Sequence, residues 1–309
     1  MTLFKNILVQ VDSQDASPRA LDQAIRLAKS NGARLKIVDV VPDFGWPAKL
    51  VVGGYERVVE QLTHAKEDHL KKLTVVAETE GIDVSSKLLE GPSSVSIIRE
   101  VLRDGHDLVI RASRGLRSRA STFFGTTSTR LFRKCPCPVL LLRAGSVCEC
   151  RRVVAAVDAT PADDAHAALN ETILQFAKSM CGDHDCVVDV VHGWDIYGES
   201  ILKEHMRPEE FEELQGKTEA ETKRLVDELV TPFGMRVGQD NVHVIHGDPA
   251  SVIPQFVERT TADLVVLGTI ARTGVSGLLI GNTAEQILNR IECSVLAVKP
   301  PGFVSPIHL

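Results

Sequence analysis

Several features that mark common protein classes are missing from this chain of 309 residues. No apolar run approaches the ~18 residues of a membrane-spanning helix. The start lacks a basic segment followed by an apolar one, so we expect a cytoplasmic protein without a signal peptide. Seven cysteines in such a chain predict reduced thiols rather than a disulfide framework.

Signatures of several enzyme classes are absent as well. The sequence contains no G-x-x-x-x-G-K-[ST] loop, no G-x-S-x-G turn and no pair of carboxylates at a fixed spacing. Aromatic residues make up only 5% of the chain and the net charge is −6, which argues against nucleic-acid binding. We therefore expect a binding protein rather than an enzyme with a strong catalytic motif.

The charge is unevenly distributed along the chain. Residues 1–150 carry a net charge of +5, whereas residues 151–309 carry −11. Docking of two complementary halves, sequence drift and a functional electric field all fit this asymmetry.

An internal duplication is the most informative feature of the chain. The run Ile7–Asp12 recurs as Val153–Asp158, at an offset of 146 residues. From Gly91 and Gly247 onward the offset is 156, so the second copy contains ten extra residues between its first and third strands.

Each copy alternates short apolar runs with longer amphipathic stretches. Domain one, residues 1–147, has predicted strands near 5–11, 34–41, 84–89, 107–111 and 139–142, and helices near 17–31, 55–80, 93–104 and 125–134. Domain two, residues 148–309, has predicted strands near 152–157, 186–192, 242–246, 263–267 and 294–298, and helices near 162–180, 207–231, 250–261 and 281–291. Continuous apolar strands that alternate with helices predict a doubly wound parallel α/β sheet in each domain.

Ligands of doubly wound sheets bind beyond the carboxyl ends of the strands. The first strands end in Asp12 and Asp158, and Gly247-Asp248-Pro249 follows the third strand of copy two. The fourth strand of copy two leads through the glycine-rich segment 268–283 into a helix. Such a segment exposes backbone N–H groups to phosphate, and the helix N-terminus adds positive potential. The pattern therefore predicts an anion site in copy two.

These residues resemble the universal stress protein family, whose signature is G-x2-G-x9-G-[ST] after the fourth strand, with an Asp closing the first. The resemblance covers nearly the whole chain, twice, and is nearest to tandem E-type members in segments 267–276 and 281–286. It implies adenine-nucleotide binding and five-stranded sheets of order 3-2-1-4-5. It also implies an intramolecular pseudo-dimer, in which the domains pair through their fifth strands. A homodimer of the whole tandem chain is left open.

The resemblance assigns the nucleotide mainly to copy two. The implied contacts are Asp158, Gly193, Gly247, Gly268, Ala271, Arg272, Gly281, Asn282 and Thr283. Ala271 replaces the second signature glycine and Asn282 replaces the Ser/Thr, whereas Gly193, like Val40 in copy one, stands where the family contacts adenine. Asp158 and Asp248 are candidate ligands for Mg²⁺. A turn-forming role after the strand is the alternative for Asp12 and Asp158.

Copy one departs from the signature in another way. Ala112 replaces the first glycine, whereas Gly115, Gly125 and Thr126 match. Because alanine disfavours the positive φ that close approach to phosphate often requires, we expect weaker nucleotide binding in copy one. Its loop is crowded by Arg111, Arg114, Arg117 and Arg119. These arginines either bind a different anion or form a solvated or salt-bridged basic surface.

Aromatic residues cluster after the second strands. They are Trp46 and Tyr55 in copy one, and Trp194 and Tyr197 in copy two. They either pack the following helix onto the core or form a lid or pocket for a lipid-like ligand or protein partner.

Metal-ligating residues precede the first two strands of copy two: Cys148, Cys150, Cys181, His184 and Cys186. The amino ends of neighbouring parallel strands share an edge, so these side chains form a candidate zinc site, with unpaired surface thiols as the alternative. Cys137 and its repeat mate Cys293 are interpreted as small buried residues.

Three functions are compatible with the sequence. The first is a cytoplasmic stress-response protein that binds ATP or a related adenine nucleotide for regulation. The second is a slow ATPase, for which no general base stands out. The third is a binding module for a lipid-like ligand or a protein partner. The sequence names neither the physiological ligand nor the stress signal.

Overall fold

Two units make up the chain, each built on one of the sequence copies. The first unit also includes the C-terminal residues Phe303–Leu309. The computed structural model describes residues 3–12, 19–41, 55–113, 125–143, 150–160, 163–181, 185–239, 241–269 and 280–309.

The first unit alternates strands and helices. Its strands are β1 (Asn6–Gln10), β2 (Arg34–Val41), β3 (Val84–Glu90), β4 (Leu108–Ala112) and β5 (Val139–Leu142). Its described helices are α1 (Arg19–Asn31), α2 (Tyr55–Thr79), α3 (Ser93–Asp104) and α4 (Gly125–Lys134). The strands pair in parallel in the order β3-β2-β1-β4-β5.

The second unit repeats this plan and has one more helix than the first when only the described residues of each are counted. Its strands are β6 (Arg152–Ala156), β7 (Val187–Trp194), β8 (Val242–His246), β9 (Leu264–Gly268) and β10 (Ser294–Val298). Its described helices are α5 (Asp164–Cys181), α6 (Glu199–His205), α7 (Pro208–Val230), α8 (Pro249–Thr260) and α9 (Asn282–Arg290). The parallel order is β8-β7-β6-β9-β10. The predicted doubly wound α/β class is confirmed, whereas pairing of the two units stays a prediction.

Burial follows the position of each strand in its sheet. Ile7, Leu8 and Val9 of the central strand β1 are 0% exposed, as are Val153 and Val154 of β6. Strands β3 and β8, at the ends of the two orders, are partly exposed. Central strands that are apolar on both faces require cover on both sides, which the alternating helices supply.

A helix that spans a membrane is both long and apolar. Within the described ranges, no helix combines the length and the apolar character needed to cross a bilayer.

The extra residues of the second copy fall in two places. Strand β1 pairs Asn6 with Arg34, whereas β6 pairs Arg152 with Val187, so the offset has already grown to 153 at the second strand. The remaining three residues precede β8. Helix α5 has 18 residues against 13 in α1, and five residues rather than two separate it from the next strand.

Two sequence interpretations near the second strands need correction. The sequence pattern does not predict α6. None of the seven residues of this helix is buried, so the segment has no apolar periodicity that would indicate a helix. Strand β7 extends to Trp194, which places Gly193 and Trp194 within the strand rather than after it. Val40 likewise lies within β2.

Candidate functional site

The carboxyl ends of β6 and β9 bring together residues that are distant in the sequence. The two strands are parallel, with Ala156 opposite Leu267. Asp158 follows β6 by two residues and Gly268 ends β9, so both lie at the same edge of the sheet. This is the edge at which doubly wound folds bind ligands.

Helix α5 and strand β7 hold the segment around Asp158. Asn170 Oδ1 accepts a hydrogen bond from the Asp158 N–H at 3.0 Å, and Asn170 Nδ2 donates to the Asp158 carbonyl at 2.7 Å. The Asp158 carboxylate accepts from the Thr160 N–H at 3.2 Å, which is an Asx turn. On the other side, His192 Nδ1 lies 3.1 Å from the Val157 carbonyl oxygen. Sequence reasoning missed Asn170, although a polar residue among the buried positions of α5 is a usable signal.

The turn after β8 is shaped by a glycine and a helix cap. Gly247 has a φ of +132°, and its N–H donates to the Trp194 carbonyl at 2.7 Å. Asp248 caps α8, since its carboxylate accepts from the Ala250 N–H at 3.2 Å and from the Ser251 hydroxyl at 3.1 Å. Such a cap contributes about 1 kcal/mol to helix stability. The capping role explains this carboxylate locally, and its Mg²⁺ role stays a prediction.

Gly193 is required by the packing of α8 against β7. A Cβ at this position would lie 2.9 Å from the Cα of Pro249 and 3.4 Å from the carbonyl oxygen of Gly247. Backbone atoms at such distances leave no room for a side chain. The contact of Gly193 with adenine stays a prediction.

Gly268 also has a close neighbour, but that neighbour is a side chain rather than backbone. A Cβ here would lie 2.6 Å from Cδ2 of Leu169 in α5. Gly268 is not among the positive-φ glycines in the part of the chain that the structure describes. The expectation that the first signature glycine needs a positive φ is therefore wrong for this position, where the absence of a side chain leaves room for Leu169.

Helix α9 begins beside the predicted phosphate-binding segment. Its N-cap is Gly281, with a φ of −58°, and a glycine supplies no side-chain hydrogen bond to the first turn. Gly281 is buried, whereas Asn282 and Thr283 are exposed. The N–H groups at a helix start favour an anion. The predicted contacts Ala271 and Arg272 lie outside the described residues.

The matching positions of the first unit differ in conformation. Asp12 follows β1, and Ala112 ends β4. Gly125 opens α4 with a φ of +72°, unlike its repeat mate Gly281. Arg111 lies within β4 and is 9% exposed, so its interpretation as a loop residue is wrong. The predicted positions outside the described residues are Arg114, Gly115, Arg117 and Arg119.

The aromatic residues of the second unit differ in exposure. Trp194 is 6% exposed, and its ring centroid lies 4.7 Å from that of His246, so Trp194 packs in the core. Tyr197 is 99% exposed and Ile201 of α6 is 63% exposed. Trp46 and the side chain of Tyr55 lie outside the described residues.

Glu199 adds a negative charge near the end of β8. Its carboxylate lies 2.6 Å from Lys203 Nζ and 3.1 Å from His246 Nε2. The hydrogen bond from Lys203 lowers the pKa of Glu199, against a smaller opposing effect of burial. The carboxylate is therefore ionised at neutral pH.

The cysteines of the second unit are arranged differently from the predicted zinc site. Cys181 and Cys186 form a disulfide, so the prediction of reduced thiols is wrong for this pair. Over the described ranges, no three or more His, Cys, Asp or Glu side chains are grouped so as to hold a metal. Cys148 and His184 lie outside those ranges. As predicted, Cys137 of the first copy and its repeat mate Cys293 of the second are buried.

The two units define the chain as a tandem protein of the doubly wound α/β class, with its candidate site at the carboxyl edge of the sheet. The sequence profile of the universal stress protein family matches residues 3–143 and again 149–299. The chain therefore belongs to the universal stress protein family.

Relatives match the chain over nearly its whole length. Universal stress protein E homolog of Haemophilus influenzae is 28% identical, covering 96% of this chain and 98% of the relative. Universal stress protein E of Escherichia coli K12 is 27% identical, covering 100% and 98%. A crystal structure of a universal stress protein from Pseudomonas aeruginosa UCBPP-PA14 has a TM-score of 0.73 at 23% identity, covering 97% of this chain and 94% of that one. The fold is thus shared by a solved structure of the family.

Proposed function

We propose that this universal stress protein is cytoplasmic and binds ATP or a related adenine nucleotide through its second unit, as a regulator rather than a rapid enzyme. The observation that supports this is the register of β6 against β9. It sets Asp158 beside Gly268, where the segment that leads to the start of α9 begins.

The predicted contacts supply several kinds of interaction in the proposal. The backbone N–H groups at the start of α9, from Gly281 to Thr283, bind phosphate oxygens. Arg272 adds a charge-assisted hydrogen bond. The Asp158 carboxylate accepts hydrogen bonds from the ribose hydroxyls or the adenine amine. The edge between Gly193 and Gly247 borders the base, and Mg²⁺ accompanies the phosphates.

Calorimetric titration of ATP into the Gly281→Val variant tests this assignment. A φ of −58° is open to a β-branched residue, but Gly281 is buried, so circular dichroism and thermal unfolding are used first to select conditions in which the variant is folded. We expect ATP affinity to fall by ~2–4 kcal/mol, because several charge-assisted hydrogen bonds depend on close approach to this backbone.

A matched control carries the same substitution at Gly216. This glycine lies within α7, and a Cβ there would meet no atom within 4 Å. Gly216→Val should keep the original affinity. If the Gly281→Val and Gly216→Val proteins bind ATP with equal affinity, the start of α9 does not bind the phosphates.

The exposed apolar side chains Tyr197 and Ile201 favour a second candidate function, the binding of a protein or lipid-like partner. Large apolar groups that are 99% and 63% exposed lie beside the end of β7. Vesicle flotation and sedimentation velocity on a Tyr197→Ser/Ile201→Ser variant test it. The candidate fails if the original chain shows neither lipid binding nor self-association.

A further inference from the structure

A disulfide spans the connection between α5 and β7. Cys181 is the last residue of α5 and Cys186 directly precedes β7, with their Cα atoms 5.4 Å apart. Both residues are half-buried. In contrast, Cys135, Cys137 and Cys293 are at most 8% exposed. The bonded pair is therefore more exposed than those three cysteines.

The fold does not require a covalent bond at this corner. In the first unit, only Gly32 and Ala33 separate α1 from β2. Gly32 has a φ of +61°, and the Ala33 N–H donates to the Ala28 carbonyl at 2.9 Å. A glycine turn with ordinary hydrogen bonds thus completes the same connection. The disulfide is an addition of the second unit.

Non-covalent contacts secure the end of α5 beside the disulfide. Met180 is 3% exposed. Lys178 donates to the carbonyl of Phe233 and lies 5.6 Å from the centre of its ring. Because these contacts involve neither sulfur atom, we expect cleavage of the disulfide to loosen the last turn of α5 while the unit stays folded.

We propose that Cys181 and Cys186 are a reversible redox site, opened by low-molecular-weight thiols and closed by the corresponding small disulfides. A thiolate attacks one sulfur, the Cys–Cys bond breaks, and the second sulfur leaves as a thiolate that takes up a proton. A second small thiol resolves the mixed disulfide and releases the small disulfide and the second cysteine thiol. Two electrons and two protons are gained by the protein. Where the cell keeps thiols reduced, disulfides of this kind are usually transient and redox-sensing.

The test uses the full chain in glutathione buffers of graded redox ratio. Alkylation and mass spectrometry report the fraction of Cys181 and Cys186 in the disulfide, and hydrogen exchange reports the order of residues 178–181. We expect reversible interconversion in native protein, with exchange in the last turn of α5 at least threefold faster after reduction. The Cys181→Ser/Cys186→Ser variant should show the hydrogen exchange of the reduced protein, and its exchange should not change with the glutathione ratio. Cys150→Ser is the matched control and should keep the full response.

Three results would each overturn the proposal. The first is that Cys181 and Cys186 can both be alkylated in native protein under oxidising conditions, which would show that no disulfide forms. The second is a disulfide that small thiols reduce only in denaturant. The third is exchange at residues 178–181 that is identical in the two redox states.

Discussion

The side-chain amide of Asn170 is joined to the backbone of Asp158 by two hydrogen bonds, of 3.0 and 2.7 Å. One planar group supplies both the acceptor and the donor, a combination that a carboxylate or an aliphatic side chain does not offer. Helix α5 thereby sets the position of Asp158, which lies beyond the end of β6 at the candidate nucleotide site.

Asn170→Asp tests whether this pair of bonds positions Asp158. The carboxylate keeps an acceptor but loses the donor to the Asp158 carbonyl and adds a like charge nearby. We expect the free energy of unfolding in urea to fall by about 1–3 kcal/mol, with a roughly tenfold loss of ATP affinity, which corresponds to about 1.4 kcal/mol. Asn289→Asp adds the same charge at an exposed position in the last turn of α9. It should leave the ATP affinity unchanged and lower the free energy of unfolding by at most about 1 kcal/mol, because a negative charge is mildly unfavourable at a helix C-terminus. Full stability of the Asn170→Asp protein would show that the bonds contribute little.

Gly193→Ala tests the close packing of α8 on β7. The added Cβ would lie 2.9 Å from the Cα of Pro249, and backbone atoms yield less readily than the end of a flexible side chain. Overpacking of this kind costs about 1–3 kcal/mol. Gly216→Ala within α7 should instead stabilise the protein by up to about 1 kcal/mol, through helix propensity. Chemical denaturation of both variants measures the difference, and equal stabilities would contradict the packing argument.

Acid should weaken the first unit through Glu100. This side chain is fully buried, with Lys36 Nζ 2.6 Å from one oxygen and Lys87 Nζ 2.8 Å from the other. Burial alone raises the pKa of Glu100, but hydrogen bonds and charges from the two lysines outweigh it and lower the pKa below the ordinary value of 4.5. A carboxylate of this kind stabilises the fold above its ordinary pKa, and the contribution disappears as pH falls through the lowered value.

Urea unfolding at several pH values measures this contribution. The free energy of unfolding should decline as pH falls below about 4.5, where the unfolded state binds more protons than the folded state. Glu100→Gln should show a shallower decline over the same range. Glu80→Gln is the control, because Glu80 pairs with Lys29 at an exposed site, and its decline should match the original chain. If the free energy of unfolding declines equally with pH in the two variants, Glu100 is not the source of the acid sensitivity.

Unequal nucleotide binding by the two units is tested with the repeat mates Asp12 and Asp158. We expect a stoichiometry near one ATP per chain in calorimetry. Asp158→Asn should weaken binding by roughly 10- to 150-fold, because a hydrogen bond to a charged group contributes about 1.5–3 kcal/mol, whereas Asp12→Asn should leave it unchanged. Two equivalent sites would contradict the inequality of the units, and a loss confined to Asp12→Asn would place the site in the first unit.

Sequence patterns alone predict the duplication, the α/β class and the positions of most elements. The runs 139–142 and 294–298 predict β5 and β10 with the observed bounds, and 93–104 predicts α3. These signals are local, since a continuous apolar run or an amphipathic period is present in adjacent residues. Asp158 and the start of α9 could also be predicted as site residues, because strand ends and glycine-rich segments are recognisable in the sequence.

The partners of individual side chains, in contrast, depend on how the chain folds. Lys36 and Glu100 form an ion pair in the first unit, but their mates in the second unit are Asp189, which binds His243 at 2.9 Å, and Phe256, which packs on the ring of His243. The same backbone thus carries different networks. Hydrogen bonds and ion pairs act over a few ångströms, so they depend on which residues of distant segments face each other. For the same reason three pairings are apparent only in the folded chain: Asn170 with Asp158, Leu169 with Gly268, and Cys181 with Cys186.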